Sequence, residues 1–435
     1  MDFHRTRQNL PDALEAERRV IEGHARAAGL DFHDVIFELC AYDEIDMIAA
    51  LGGFPTRYPH WRWGMEYLRL QKGQEYGLQK IYELVINNDP TWAYLHEGNS
   101  HVDQQLVMAH VYAHADFFKH NAWFAGTQKK MVDRMANHAS RVRRHIDREG
   151  ALGVERWIDA CLSLDNLIDP YLRGGEARAR PSEGPATDRH GDRDVMGFVV
   201  AHGKMAPWQA DILGILREEA YYFLPQAQTK ILNEGWASFW HTRLMTGTLV
   251  ATADVVDYAD RHAGTVAAHA GQVNPYRLGL TLFRDIERRD GLARAFEVRQ
   301  SHNDVTFLDR YLTEETCVQA GLYTWTIDRK SGASVIDSRG FTEIRARLLA
   351  TLENRGEPEI AVTDADHAGR GELELTHVHD GADLHVEWAG QVLGNLARAW
   401  GRPVHLRTRL DGRDVVIHHD GNHLATEGTR TRVTA

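Results

Sequence analysis

Val107-Met-Ala-His110-Val-Tyr-Ala-His114-Ala-Asp-Phe-Phe-Lys-His120-Asn121 is the stretch from which the fold is read outward. Its spacing predicts a helix. In that helix His110 and His114 stand one turn apart and project from the same face. Two imidazoles so spaced can chelate one ion, as in HExxH sites. The residue after His110 is Val111, so the glutamate that serves such sites as general base is missing here. Asn121 falls on the same stripe, and His120 about a third of a turn off it. Two histidines on a polar helix face would show the same spacing, and spacing alone leaves both readings open.

Helical spacing extends on both sides of this stretch. Residues 11–29, 43–51, 65–84, 101–149 (as one or two helices), 153–170, 207–250, 252–270, 276–290 and 291–300 all show it. Pro55 and Pro59 keep the aromatic run 54–63 out of a regular helix interior. Residues 173–194 carry almost no apolar side chains and are rich in Gly, Pro and charge, which predicts a flexible loop inside a larger domain. After Thr324 the pattern changes. Short alternating runs at 359–363, 372–378, 404–408 and 414–418 predict strands, with Asp411-Gly412 as a hairpin turn, and helical stretches fall at 342–354 and 384–400. The expected fold is mainly α: a large helical domain over 1–325 and a small α+β domain over 326–435.

A second helical stretch carries chemistry: Thr229-Lys-Ile-Leu-Asn-Glu234-Gly-Trp-Ala-Ser-Phe-Trp-His241-Thr-Arg-Leu. Lys230, Glu234, Ser238 and His241 form one polar stripe, and Ile231, Trp236, Phe239, Trp240 and Leu244 cover much of the rest. A helix apolar on most sides is buried. A buried carboxylate is costly unless it is paired or ligates a metal. Glu234 therefore meets a cation, either in a structural Lys–Glu–His network or as a ligand. With His110 and His114 it would complete a set of two imidazoles and one carboxylate, the donor set of a catalytic zinc site with an open fourth position.

Three further segments hold candidates. In Tyr94-Leu-His-Glu97-Gly-Asn99-Ser-His101, Glu97 would supply the missing base or cap the histidine helix. In Tyr58-Pro-His60-Trp-Arg-Trp-Gly64, His60 is either a packed wall residue or an acid in a pocket. His60 or His241 would stabilise an oxyanion or protonate a leaving nitrogen. Asn274-Pro-Tyr276 reads as a helix start capped by asparagine, and His262 and His269 lie two turns apart before it.

Composition narrows the classes. The chain has 435 residues, 43% hydrophobic and 26% charged, with a formal net charge of −12. So acidic a chain lacks the field of a general nucleic-acid binder. Three cysteines without a CxxC pair exclude a disulfide framework and a cysteine-rich zinc site, and fit a reducing cytosol. The N-terminal residues show no secretory signal, and no run reaches membrane-span length, so a soluble cytoplasmic protein is expected. Histidine, at 25 residues, raises the prior for a metal or acid–base site. There is no GxxxxGK[ST] loop, strand-preceded GxGxxG or GxSxG elbow.

Leu232-Asn-Glu234-Gly-Trp-Ala-Ser-Phe resembles the helix that supplies the glutamate zinc ligand in gluzincin peptidases. There the glutamate follows closely; here 120 positions separate it from His114. Gly53-Phe-Pro-Thr-Arg-Tyr-Pro-His-Trp-Arg-Trp-Gly64, Ile81-Tyr-Glu-Leu-Val-Ile-Asn-Asn-Asp-Pro90, Ala109–Asn121, Tyr222–His241 and Asn274-Pro-Tyr276 together resemble the SpoVR family, named for stage V sporulation protein R. That resemblance implies a link to spore cortex formation or stress. It also implies association with a serine protein kinase and a von Willebrand-type domain protein. It carries no settled biochemical activity.

The residues themselves point first to a metal-dependent hydrolase with a gluzincin-like helical architecture. Zinc or another divalent transition metal would be held by His110, His114 and Glu234, and the substrate would be a peptide or peptidoglycan-type amide. A non-catalytic adaptor or regulator in a signalling complex is the alternative, favoured by Val111. An iron oxygenase using the same three ligands is a third reading.

Overall fold

The computed structural model describes residues 10–75, 83–172, 192–268, 271–327 and 332–428. They divide into two compact units, one of residues 1–139 and 225–352, the other of residues 140–224 and 353–435. The boundary expected between 325 and 326 follows the change in sequence pattern, whereas the units are drawn by packing. The helices of 140–224 join the C-terminal strands, and the chain after 325 stays with the first unit as far as 352.

In the first unit, helix α1 (Asp12–Ala27) is followed by β1 (Val35–Cys40), β2 (Glu83–Ile86) and β3 (Thr91–His96). These strands form one sheet in the order β1-β3-β2, with β1 parallel and β2 antiparallel to β3. The sheet corrects the expectation of helix over 65–84: the helix is Trp61–Glu75, and Leu84-Val85-Ile86 is strand. A short β-branched run carries no period long enough to separate strand from helix, and pairing with β3 decides it.

Helix α2 (His101–His120) is the centre of this unit. Ser100 caps it reciprocally with Asp103, which satisfies two otherwise orphaned backbone donors. Residues 102–118 are buried on almost every face, apart from half-buried Leu106. Ala109, Ala113 and Ala115 keep its sides narrow. Around it pack α1, α3 (Lys230–Leu244), α4 (Val255–Thr265) and α6 (Leu292–Ser301). The long helical region 101–149 breaks at Asn121, whose amide donates to the carbonyls of Arg299 and His302.

Helix α5 (Pro275–Asp290) crosses α3 at closest approach where Gly235 faces Gly279. A Cβ on Gly235 would lie 2.4 Å from the Gly279 Cα, so both positions need glycine for the helices to touch backbone to backbone. Trp236, Phe239 and Phe283 pack around the crossing. No side chain of α3 itself caps its N-terminus. Instead the carboxylate of Asp304, first residue of α7 (Asp304–Tyr311), accepts from Ile231 N and Leu232 N at 2.9 and 2.8 Å. A two-stranded sheet, β4 (Thr324–Ile327) with β5 (Ser334–Ser338), and the helix Phe341–Leu352 complete the unit.

The second unit holds a five-stranded sheet: β6 (Ile360–His367), β7 (Glu372–His377), β8 (Val404–Leu410), β9 (Arg413–His419) and β10 (Leu424–Gly428), in the order β10-β9-β8-β7-β6. Only β7–β8 is parallel, and helix α8 (Val386–Trp400) makes that crossover and packs on β8 and β9. Asp411 and Gly412 take positive φ of 49° and 74° at the β8–β9 hairpin, as the turn signal implies. The protein is thus mainly α with an α+β C-terminal region. Of the loop expected over 173–194, residues 173–191 lie outside the described residues, as does His269.

Candidate metal centre

One turn of α2 and the second turn of α3 bring three side chains to a point. Glu234 Oε2 lies 3.4 Å from His110 Nε2 and 3.5 Å from His114 Nε2, and all three side chains are at least nine-tenths buried. The two rings stand nearly perpendicular, 84° apart with centroids at 4.6 Å, as two imidazoles must to aim at one point. Among the described residues these three form the one histidine–cysteine–carboxylate group with ligand geometry.

The separations are informative. A tetrahedral first-row ion with ligands at about 2.0–2.1 Å holds its donor atoms about 3.3–3.5 Å apart. A direct hydrogen bond to a carboxylate would be shorter, near 2.8 Å, and Oε2 makes none of ordinary geometry. Its sister oxygen Oε1 is already engaged, accepting from Lys230 Nζ at 2.6 Å. Burial drives the Glu234 carboxyl upward, but the two imidazoles and Lys230 outweigh it and hold its pKa well below the ordinary range. The result is a buried carboxylate, charged at neutral pH, that offers one free oxygen toward two ring nitrogens.

The outer nitrogens of both rings are occupied. His114 Nδ1–H donates to Asn233 Oδ1 at 2.8 Å. His110 Nδ1 meets His241 Nδ1 at 2.8 Å, and His241 Nε2 meets His262 Nδ1 at 3.2 Å. Burial, followed by the charges of the neighbouring histidines and Arg284, holds the His241 pKa well below its ordinary value, so this ring is neutral. A consistent set of tautomers then has His110 Nδ1–H donating to His241, and His241 Nε2–H donating to His262. With a metal bound, these tautomers would present both Nε2 lone pairs to it; without one, an Nε2 proton would face Glu234 instead. Tyr276 stacks on the His110 ring at 6.0 Å and Phe118 on that of His114 at 6.0 Å.

His110, His114 and Glu234 converge, and His241 joins them one shell out, behind His110. Glu97 is elsewhere: it is exposed in the turn before α2, and the nine residues from His101 to His110 alone span about 13 Å of helix. It does not cap α2, because Ser100 and Asp103 do so. His60 sits among the rings of Tyr58, Trp61 and Trp63, with Nδ1 accepting from Arg62 N. His120 turns outward to Asp31. Asn233 and Tyr276 went unnoticed in the sequence as site residues. The signal for Asn233 was its place beside Glu234; Tyr276 gave none beyond its helix-start motif.

Among the described residues no helix is long and apolar enough to cross a membrane. No solved structure matches the chain. Uncharacterized protein YcgB of Escherichia coli (strain K12) is 26% identical over 486 aligned positions, covering 93% of this chain and 94% of that protein. The family model described as SpoVR like protein matches residues 8–190 and 175–357, and that of the SpoVR-like C-terminal domain matches residues 358–411. The chain therefore belongs to the SpoVR family.

Proposed function

We propose that this SpoVR-family protein is a metal-dependent hydrolase of gluzincin-like helical architecture, with His110, His114 and Glu234 as ligands to zinc or another divalent transition metal. The observation that carries the reading is the Glu234 Oε2 atom: buried, charged and without an ordinary hydrogen bond, 3.4 and 3.5 Å from two imidazole nitrogens. A structural network would close those gaps with protons. Held by these three residues, such an ion would supply Lewis-acid chemistry suited to polarising an amide carbonyl and activating water.

The chain's own residues bind and orient. Lys230 fixes one Glu234 oxygen so that the other points inward, and Asn233 and His241 hold the two imidazoles in the ligating tautomer. His241 therefore acts as a positioning residue rather than as the proton donor. The base role is not given to Glu97, which is exposed in the turn before α2, more than two helical turns ahead of His110. Peptide or peptidoglycan-type amides are the proposed substrates, in the setting of cortex formation or stress that the family implies.

Metal analysis of tag-free protein tests the centre. We expect about one equivalent of transition metal, lost in His114→Ala and Glu234→Gln. Less than about a tenth of an equivalent, with no uptake on incubation, would overturn it. Release of amine from peptidoglycan fragments, abolished by chelation and restored by zinc, tests the reaction, whereas iron as the bound metal would point to oxygenase chemistry. Val111, fully buried where a base would stand, favours a second reading: a non-catalytic adaptor to the kinase and von Willebrand-type protein. Undiminished capture of those partners by His110→Ala and Glu234→Ala protein, with no amide hydrolysis by the native protein, would favour it.

A further inference from the structure

The chain of imidazoles His110–His241–His262 ends at a cavity of about 420 Å³ between α4, α5 and the helix Glu314–Ala320. Its floor is a single stripe of α5: Arg277, Thr281, Arg284 and Arg288 recur at helical spacing, with Asp285 beside them.

The charge balance of this cavity is lopsided. Three arginines and one aspartate line it; Asp285 pairs with Arg288 at 2.6 Å and with Arg289 at 2.8 Å, and Arg288 also stands 3.7 Å from Glu315, which leaves Arg277 and Arg284 without a carboxylate partner. Arg277 donates to the backbone carbonyls of Ala320, Gln319 and Val266, which orient its guanidinium without neutralising it. Arg284 is exposed and makes no hydrogen bond or ion pair among the described residues. A second cavity, lined by Arg289, Arg294 and Arg310, is better balanced: Arg294 pairs with Glu297, Arg289 with Asp285, and Asp290 adds a further negative charge. In a chain whose net charge is −12, two guanidinium groups without a carboxylate partner beside one cavity make a local positive site that an anion can occupy.

We propose that this cavity binds a small organic oxyanion, a carboxylate- or phosphate-bearing metabolite, whose charged group is taken by Arg277 and Arg284. Planar guanidinium forks suit both oxyanions bidentately. The volume exceeds that of a lone phosphate, and Thr281 and Gln319 offer polar contacts to the remainder of the molecule. The site is independent of whether the neighbouring centre holds a metal.

The test uses the full chain stripped of metal by chelation, so that it does not depend on the hydrolase reading. Calorimetric titration with inorganic phosphate, citrate and glucose 6-phosphate, with glucose as neutral control, should show one saturable site for at least one anion. No binding should be seen for glucose, and affinity should fall as salt is raised. Binding of phosphate alone would mark the charged group as sufficient; binding of only an organic anion would assign the rest of the cavity to the carbon skeleton. Arg284→Gln should weaken that binding roughly tenfold or more with melting behaviour unchanged, since Arg284 holds no partner. No binding by any of the three anions at millimolar concentration, or equal binding by Arg284→Gln and the native protein, would overturn the proposal.

Discussion

Replacing Gly235 with alanine tests whether the α3–α5 crossing sets the proposed metal centre. The added Cβ would stand 2.4 Å from the Gly279 Cα, 2.5 Å from its carbonyl carbon and 3.0 Å from its oxygen. Carbon atoms rest about 3.5–4.0 Å apart, so the helices must part by about 1.1–1.6 Å. The obstacle is backbone, which has no rotamer to yield, and the aromatic rings around the crossing are packed too densely to absorb the shift. Overpacking of this kind costs about 1–3 kcal/mol or more, against a gain of about 1 kcal/mol in helix propensity. We expect a net loss of about 2 kcal/mol in urea denaturation. Because Glu234 is the next residue, displacing α3 by even half that distance spoils the convergence on His110 and His114. Zinc affinity, read by competition with a chromophoric chelator, should fall at least about tenfold. Gly279→Ala meets the same crossing from the other side, 2.3 Å from the Ile231 oxygen, and should act alike without altering a neighbour of the ligand. Gly214→Ala is the control: nothing lies within 4 Å of its Cβ position, so it should be neutral or stabilising. A Gly235→Ala protein as stable as that control, with unchanged zinc affinity, would refute the reasoning.

Two further outcomes follow from neighbouring groups. Asn233→Ala removes the acceptor that orients His114 and should cut zinc affinity by about 10–100-fold, while Asn233→Asp, which keeps the acceptor, should retain it; the same competition assay decides, and unchanged affinity in Asn233→Ala would count against the orienting role. Asp304 is buried at the start of α3, and burial pushes its pKa from 3.8 up to about 7 despite the backbone donors that favour its charge. Between those values the unfolded chain has released the proton that the folded chain keeps, so stability is fully present below pH 3.8 and is lost as pH rises toward 7. Asp304→Asn cannot titrate. The stability of the native protein relative to this variant should therefore decline with pH across the window, by about 4 kcal/mol at most, and a constant difference from about pH 4 to pH 8 in urea denaturation would exclude the linkage.

The long helices were legible in the amino-acid order because periodicity over three or four turns is a local property. Residues 107–121 announce a helix and Ile231–Leu244 a buried one, and the polar stripes on them announce His110, His114 and Glu234 as candidates. Burial then makes the argument chemical, since a carboxylate on an apolar helix needs a cation. The change after Thr324 and the Asp411-Gly412 turn were equally local, and so was the family kinship carried by long runs of unusual composition.

Folding alone brought Glu234 across 120 positions to within 3.5 Å of two imidazole nitrogens, through a glycine-to-glycine crossing and a cap lent by Asp304. It also put Glu97 in the turn before α2, set His241 behind the His110 ring, and made strand of Leu84-Val85-Ile86. None of these is written in spacing. Periodicity reports which face of an element is apolar, whereas distances between remote elements are set by how those faces pack together.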